Sequence, residues 1–215
     1  MMNIDIGLST LAVFVPASIA LIVVPGPDSL YVLTRSISGG QWTGLSSALG
    51  TSTGVLVHTS LAVIGLSALL RTSAVAYTVV KYAGALYLLY LGLQTIRRKE
   101  EFDLQMDDTD DTDTGATYRR GVVINTLNPK VAIFFLAFLP QFVTPGSGAW
   151  LNMMVLGILY AVLTVFYLGI LALSSSRLKA ILTSRPRVTD VIRWAAGSII
   201  IGFGVKLALS DNSPS

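Results

Sequence analysis

Charge is rationed along this chain. Residues 6–27, 36–70 and 131–176 contain no Asp, Glu, Lys or Arg. A helix needs about 20 residues to cross a hydrocarbon core of ~30 Å. Each of the first two intervals is long enough for one crossing, and the third for two. A buried soluble core holds one such helix but not a succession of them. The whole chain is 13% charged with a mean hydropathy of +0.68, against roughly 25% charged in soluble domains. A membrane protein is therefore expected.

Six hydrophobic segments follow one another, at about 7–36, 44–69, 73–96, 119–143, 150–173 and 191–209. Trp42, Trp150 and Trp194 stand near the starts of spans, as rings anchored at the headgroup level do. The first segment is expected to be a retained helix, because its leader has no positive charge and no cleavage site. Arg35, then Arg97, Arg98, Lys99, Arg119 and Arg120, then Arg177, Lys179, Arg185 and Arg187 follow spans 1, 3 and 5. The positive-inside rule puts loops 36–43, 97–118 and 174–190 in the cytoplasm and both termini outside. Eight of the twelve acids fall between Glu100 and Asp113. Acids weigh little in that rule, and the run "DDTDDTDTG" at 107–115 reads as a solvated linker.

The chain has no cysteine. That excludes disulfides, thiol catalysis and thiolate metal sites. No paired membrane aspartates and no Gly-x-Ser-Gly accompany the single histidine, so an intramembrane enzyme is not expected.

The two halves resemble each other. Span 3 reads "KYAGALYLLYLGLQTI" from Lys81 and span 6 "RWAAGSIIIGFGVKLAL" from Arg193. Span 1 contains "PGPD" and span 4 contains "NPK". Three spans per half is an odd number, so the second half would be inserted upside down. The expected architecture is an all-α integral membrane protein of six transmembrane helices. It divides into two inverted three-helix repeats, 1–96 and 119–215, joined by the linker 97–118, with helices 1 and 4 broken at their Pro motifs.

The breaks concentrate the chemistry. Proline removes a donor and clashes with the preceding turn. Broken backbone survives in lipid only under cover of protein or water. Asn128-Pro129 reads as an N-cap with Pro at the first helical position, and Gly26-Pro27 can serve likewise. Each break offers a helix N-terminus that favours a carboxylate. At 1.5 Å per residue both breaks lie roughly 10–14 Å from the cytoplasmic cations, near the midplane. Two ordinary Pro kinks are the plainer alternative.

Asp28 is the one acid placed deep in the membrane, fit to carry a proton or meet an ammonium, or only to cap a helix or pair with Lys81 or Lys130. Lys130 opposes the dipole of its own half-helix and needs compensation, from a substrate carboxylate or from Asp28. Lys81 either serves the pathway or snorkels to the outer interface; Arg193 and Lys206 read as interfacial anchors. His58 continues a stripe of Ser46, Gly50 and Gly54. That stripe suits close packing within the chain or between two copies, and His58 is a packed residue or a proton relay. Asn125 shares a face with Asn128.

The strings "PGPDSLYVLTRSISGG", "GLSSALGTSTGVLVHTSLAVIGLSALL", "KYAGALYLLYLGLQTIR" and "NPKVAIFFLAFLPQFV", in this order, resemble the LysE/RhtB family of amino-acid exporters, in particular its homoserine/threonine-exporter-like branch. The resemblance implies a six-helix inner-membrane exporter of small amino acids or related metabolites, coupled to the proton gradient. It makes Pro25, Gly26, Pro27, Asn128, Pro129 and Lys130 the hallmark positions. Relatives often carry Asn after Pro-Gly-Pro, so no family role passes to Asp28. The family's Ala-Gly-x-x-Tyr pattern points to Tyr87 as a cavity residue. Gly84 and Gly197 are expected to pack helices. The expected partners are an amino acid, protons and the bilayer, with a homodimer left open; no cofactor, metal or nucleic acid is expected. Export of a cation or metal, and a non-transporting scaffold, remain the alternatives.

Overall fold

A computed structural model of the chain describes residues 6–72, 74–97, 113–143, 148–175 and 186–209. Within them the chain is helical, in the order α1 (Leu8–Val23), α2 (Pro27–Thr72), α3 (Ala74–Arg97), α4 (Thr114–Thr126), α5 (Pro129–Ile133), a π turn (Phe134–Phe138), a 3-10 turn (Leu139–Phe142), α6 (Ala149–Leu173) and α7 (Pro186–Leu209).

α1 stops where Pro25 and Pro27 deny it donors. α2 starts at Pro27, with Leu30 N–H on the Gly26 carbonyl at 3.0 Å. The two expected spans 7–36 and 44–69 meet at Gly40, whose φ of 83° and ψ of 177° interrupt α2. That region of backbone is nearly exclusive to glycine. α4 begins at Thr114, five residues before the expected start, because Asp113 accepts from Gly115 N–H at 2.8 Å and caps it. The last acid of the supposed linker thus belongs to a helix end. α7 likewise begins at Pro186, inside the loop expected at 174–190. The rest of the acidic run, most of "TPGSG" and the basic residues 177–185 lie outside the described residues.

Pro27–Gly65 and Ala149–Leu173 are each long and apolar enough to cross a membrane. Thr114–Thr126 and Pro129–Phe142, bent by 50°, form a third span if counted together. Leu8–Val23 and Trp194–Leu209 are apolar but shorter. A membrane protein is therefore what these helices describe. Lys206 is exposed near the end of α7.

The helices pair closely. The Ser46–Gly50–Gly54–His58 stripe faces α4. Ser46 donates to the Thr114 carbonyl at 2.6 Å, a Cβ on Gly50 would strike the Tyr118 carbonyl, and one on Gly54 would stand 2.7 Å from Asn125 Cβ. Both numberings rise together, so α2 and α4 run parallel. The stripe meets α4 of the same chain. α2 and α6 run antiparallel, with Gly44 on Ala172 and Thr59 on Gly157. α3 and α7 are also antiparallel: a Cβ on Gly92 would stand 2.8 Å from the Gly197 carbonyl, and one on Gly204 3.1 Å from that of Ala85. A Cβ on Gly84 would meet Ala137, and one on Gly197 would stand 2.6 Å from Ile96 and 2.9 Å from the Gly92 carbonyl.

Candidate functional site at the two helix breaks

The breaks lie side by side. Asn128 caps α5, its Oδ1 accepting from Lys130 N–H at 3.0 Å, with Pro129 first in the helix. Its Nδ2 donates to Asp28 Oδ2 at 2.9 Å, and Asn125 Nδ2 donates to the same oxygen at 3.0 Å. Asp28 sits in the first turn of α2, where the dipole favours its charge. The carboxylate of one break is therefore held by two amides of the other.

Lys130 makes the reverse connection. Its Nζ donates to the carbonyls of Leu21 and Val24, at 3.1 and 3.0 Å. These belong to the last turn of α1, where carbonyls lack helical partners and the dipole is negative. This provides compensation that sequence reasoning did not consider: a cation set against its own half-helix is accommodated by the end of another. Gly26 allows the approach, since a Cβ there would lie 3.3 Å from Lys130 Nζ.

Two acceptors at the site stay uncommitted. Asp28 Oδ1 and Asn125 Oδ1 are buried and make no hydrogen bond. Buried oxygens left without a donor are costly and uncommon. Asp28, Ser29, Asn125, Lys130, Tyr160 and Thr164 line a cavity with about 260 Å³ of empty space, mouth included. The cavity is narrow, holding roughly one water molecule.

His58 stands behind Asn125. Its Nε2 lies 2.9 Å from the Asn125 carbonyl, which only accepts, so Nε2 carries the proton. Its ring stacks on Phe135 at 6.1 Å. It thus touches the site through a backbone carbonyl and does not line the cavity.

Lys81 and Tyr87 are not brought to it. Lys81 is only 2% exposed, which excludes the snorkelling position, and its Nζ lies 5.3 Å from the Tyr82 ring centroid. Tyr87 packs beside the core and near Tyr90, at 6.3 Å between centroids. The side chain of Arg193 is outside the described residues. Tyr160 and Thr164 were missed. The available signal was their spacing with Leu168 on α6, four residues apart on one helix face. Among the described residues no group of three His, Cys, Asp or Glu could hold a metal ion.

Apolar helices throughout the described residues, with two breaks side by side and buried charged side chains between them, are those of a membrane protein. Residues 19–211 match the LysE type translocator family, and the chain belongs to it. This is a family of transporters, not of enzymes. An uncharacterised membrane protein of Pseudomonas aeruginosa is 31% identical over 213 residues, 97% of this chain and 99% of that protein. An uncharacterised membrane protein of Bacillus subtilis is 26% identical over 209 residues, 94% and 99% of the two chains. A leucine efflux protein of Salmonella typhimurium is 27% identical over 198 residues, 91% and 92% of the two. No solved structure matches the chain.

Proposed function

We propose that this protein exports an amino acid across the cytoplasmic membrane in exchange for protons, from a midplane site where the two broken helices meet. The carrying observation is the buried Asp28 carboxylate, anchored through Oδ2 while Oδ1 stays free. Such an oxygen is a place for a proton or for a substrate ammonium, one at a time. That exclusion is what an exchanger needs. The Lys130 ammonium, which lines the same cavity, offers a carboxylate its counter-charge. The leucine efflux relatives support the amino-acid class.

The architecture proposed is two inverted repeats of three spans. Support comes from the pairing of like with like. Span 3 packs on span 6 and span 2 on span 5, as a two-fold axis in the membrane plane requires. The Gly92–Gly197 approach has a counterpart at Ala85–Gly204, which is the same contact with the halves exchanged. Parallel α2 and α4, with the antiparallel pairs, fit spans that alternate in direction. Gly44, Ala172 and Thr114 share one end of the bundle, which fits three basic connections on one cytoplasmic side and both termini outside.

The test is counterflow in liposomes loaded with amino acids, using labelled leucine, threonine and lysine outside. Uptake of at least one, lost in Asn128→Ala at equal membrane insertion, is the expected result. No uptake of any amino acid by folded protein overturns the amino-acid reading.

A further inference from the structure

Beside the polar cavity lies a second one of different character. Ala17 and Leu21 of α1, Leu88 of α3, Phe134 and Phe138 of the π turn and Phe203 of α7 line about 200 Å³ of empty space, mouth included. None of these side chains bears a hydroxyl, an amide or a charge. The two cavities are neighbours on two helices at once. On α1, Ile22 lines the polar one and Leu21 the apolar one. After the second break, Lys130 and Val131 line the polar one and Phe134 the apolar one. Lys130 and Phe134 are four residues apart, about 6 Å along a helix. That is close to the distance from the carboxylate of an amino acid to the tip of a medium-sized side chain. Phe134 of the apolar lining is in ring contact with Tyr160 of the polar one, centroids 5.1 Å apart.

We infer that the apolar cavity is the side-chain pocket of the transport site, and that it selects large apolar amino acids over hydroxylated or cationic ones. This rests on the amino-acid reading above and departs from the small amino acids that the family resemblance implies. The head group lies among Asp28, Asn125 and Lys130. The side chain lies beyond Phe134. Both cavities are narrow in this structure, so the side chain enters as the Phe134 ring turns away from Tyr160. The backbone is suited to that: Phe134–Phe138 is a π turn and Leu139–Phe142 a 3-10 turn, and departures of this kind from the α-helix recur at functional sites. A threonine hydroxyl or a lysine ammonium would find no partner in this pocket, and an unpartnered polar group is penalised there.

The experiment is counterflow with labelled leucine, methionine, phenylalanine, alanine, threonine and lysine. The wild-type protein is expected to exchange leucine or methionine about tenfold faster than threonine, with lysine slower still. Ala17→Leu, which fills the pocket, should cut leucine exchange about tenfold relative to alanine exchange. Phe203→Ala, which enlarges it from the half-buried side, should raise the ratio of phenylalanine to leucine severalfold. Threonine or lysine carried as fast as leucine overturns the inference and leaves the amino-acid reading standing. Leucine preference with both ratios unchanged in these variants also overturns it. No exchange of any amino acid overturns both.

Discussion

Asp28 and Asn128 stand a hundred residues apart in the chain and 2.9 Å apart in the fold, carboxylate oxygen to amide nitrogen. Each occupies the start of a half-helix, and each half-helix follows a break. The contact therefore ties two interrupted spans at their interruptions, where backbone groups most need partners.

If Asp28 carries the exchanged proton, its charge must change during the cycle. Asp28→Asn keeps an acceptor for Asn125 and Asn128 and removes the titration. We predict normal insertion and transport whose pH profile is flattened or lost. Counterflow across mildly acidic to mildly alkaline pH measures this. A profile superimposable on the wild type would give Asp28 a purely structural part.

Lys130→Met removes the donors that reach Leu21 and Val24 while keeping a long flexible side chain. Two buried carbonyls would each lose a bond, at about 1–3 kcal/mol per unsatisfied group. We predict a melting temperature lower by several degrees in detergent and a loss of transport larger than the stability change explains. An unchanged melting temperature would mean that water replaces the ammonium at no cost.

The α2–α4 seam admits almost nothing. A Cβ on Gly54 would stand 2.7 Å from Asn125 Cβ and 2.8 Å from its Oδ1. Overpacking a close contact costs about 1–3 kcal/mol. Gly54→Val should lower thermal stability and, by displacing Asn125, also depress transport. Gly65→Val is the comparison, because nothing lies within 4 Å of a Cβ there. Equal effects at both positions would remove the seam from the argument.

Gly40 isolates backbone from packing. A Cβ there meets nothing within 4 Å, yet φ is 83°. Gly40→Ala should cost about 1–3 kcal/mol through the dihedral alone. A thermal shift of a few degrees with unaltered substrate preference is expected. No shift would mean that the turn relaxes without penalty.

The breaks were legible because proline acts locally: Asn128-Pro129 and Gly26-Pro27 end up as helix starts for reasons contained in a few residues. The stripe from Ser46 to His58 was legible as a face, but its partner was not, since spacing shows that two surfaces approach and says nothing of which second surface it is. Lys130 shows the limit most clearly. Its need for compensation could be read from the dipole, whereas the Leu21 and Val24 carbonyls that meet it depend on how distant helices dock. Lys81 stays between two readings in the sequence because depth along a helix does not reveal which side of that helix faces its neighbours. Tyr160 and Thr164 lay in a span with no ion to draw attention to it.

Consider again how the ends are held. α1 is fastened by a cation from the second half of the chain, and the residues preceding α5 are fastened by an anion from the first. On the proposed reading, a visitor bearing a single charge would compete for one fastening and leave the other shut. A molecule of both signs, one charge at each end of a short frame, would compete for the two together. Under that proposal the arrangement would work as a coincidence detector made of two ordinary side chains.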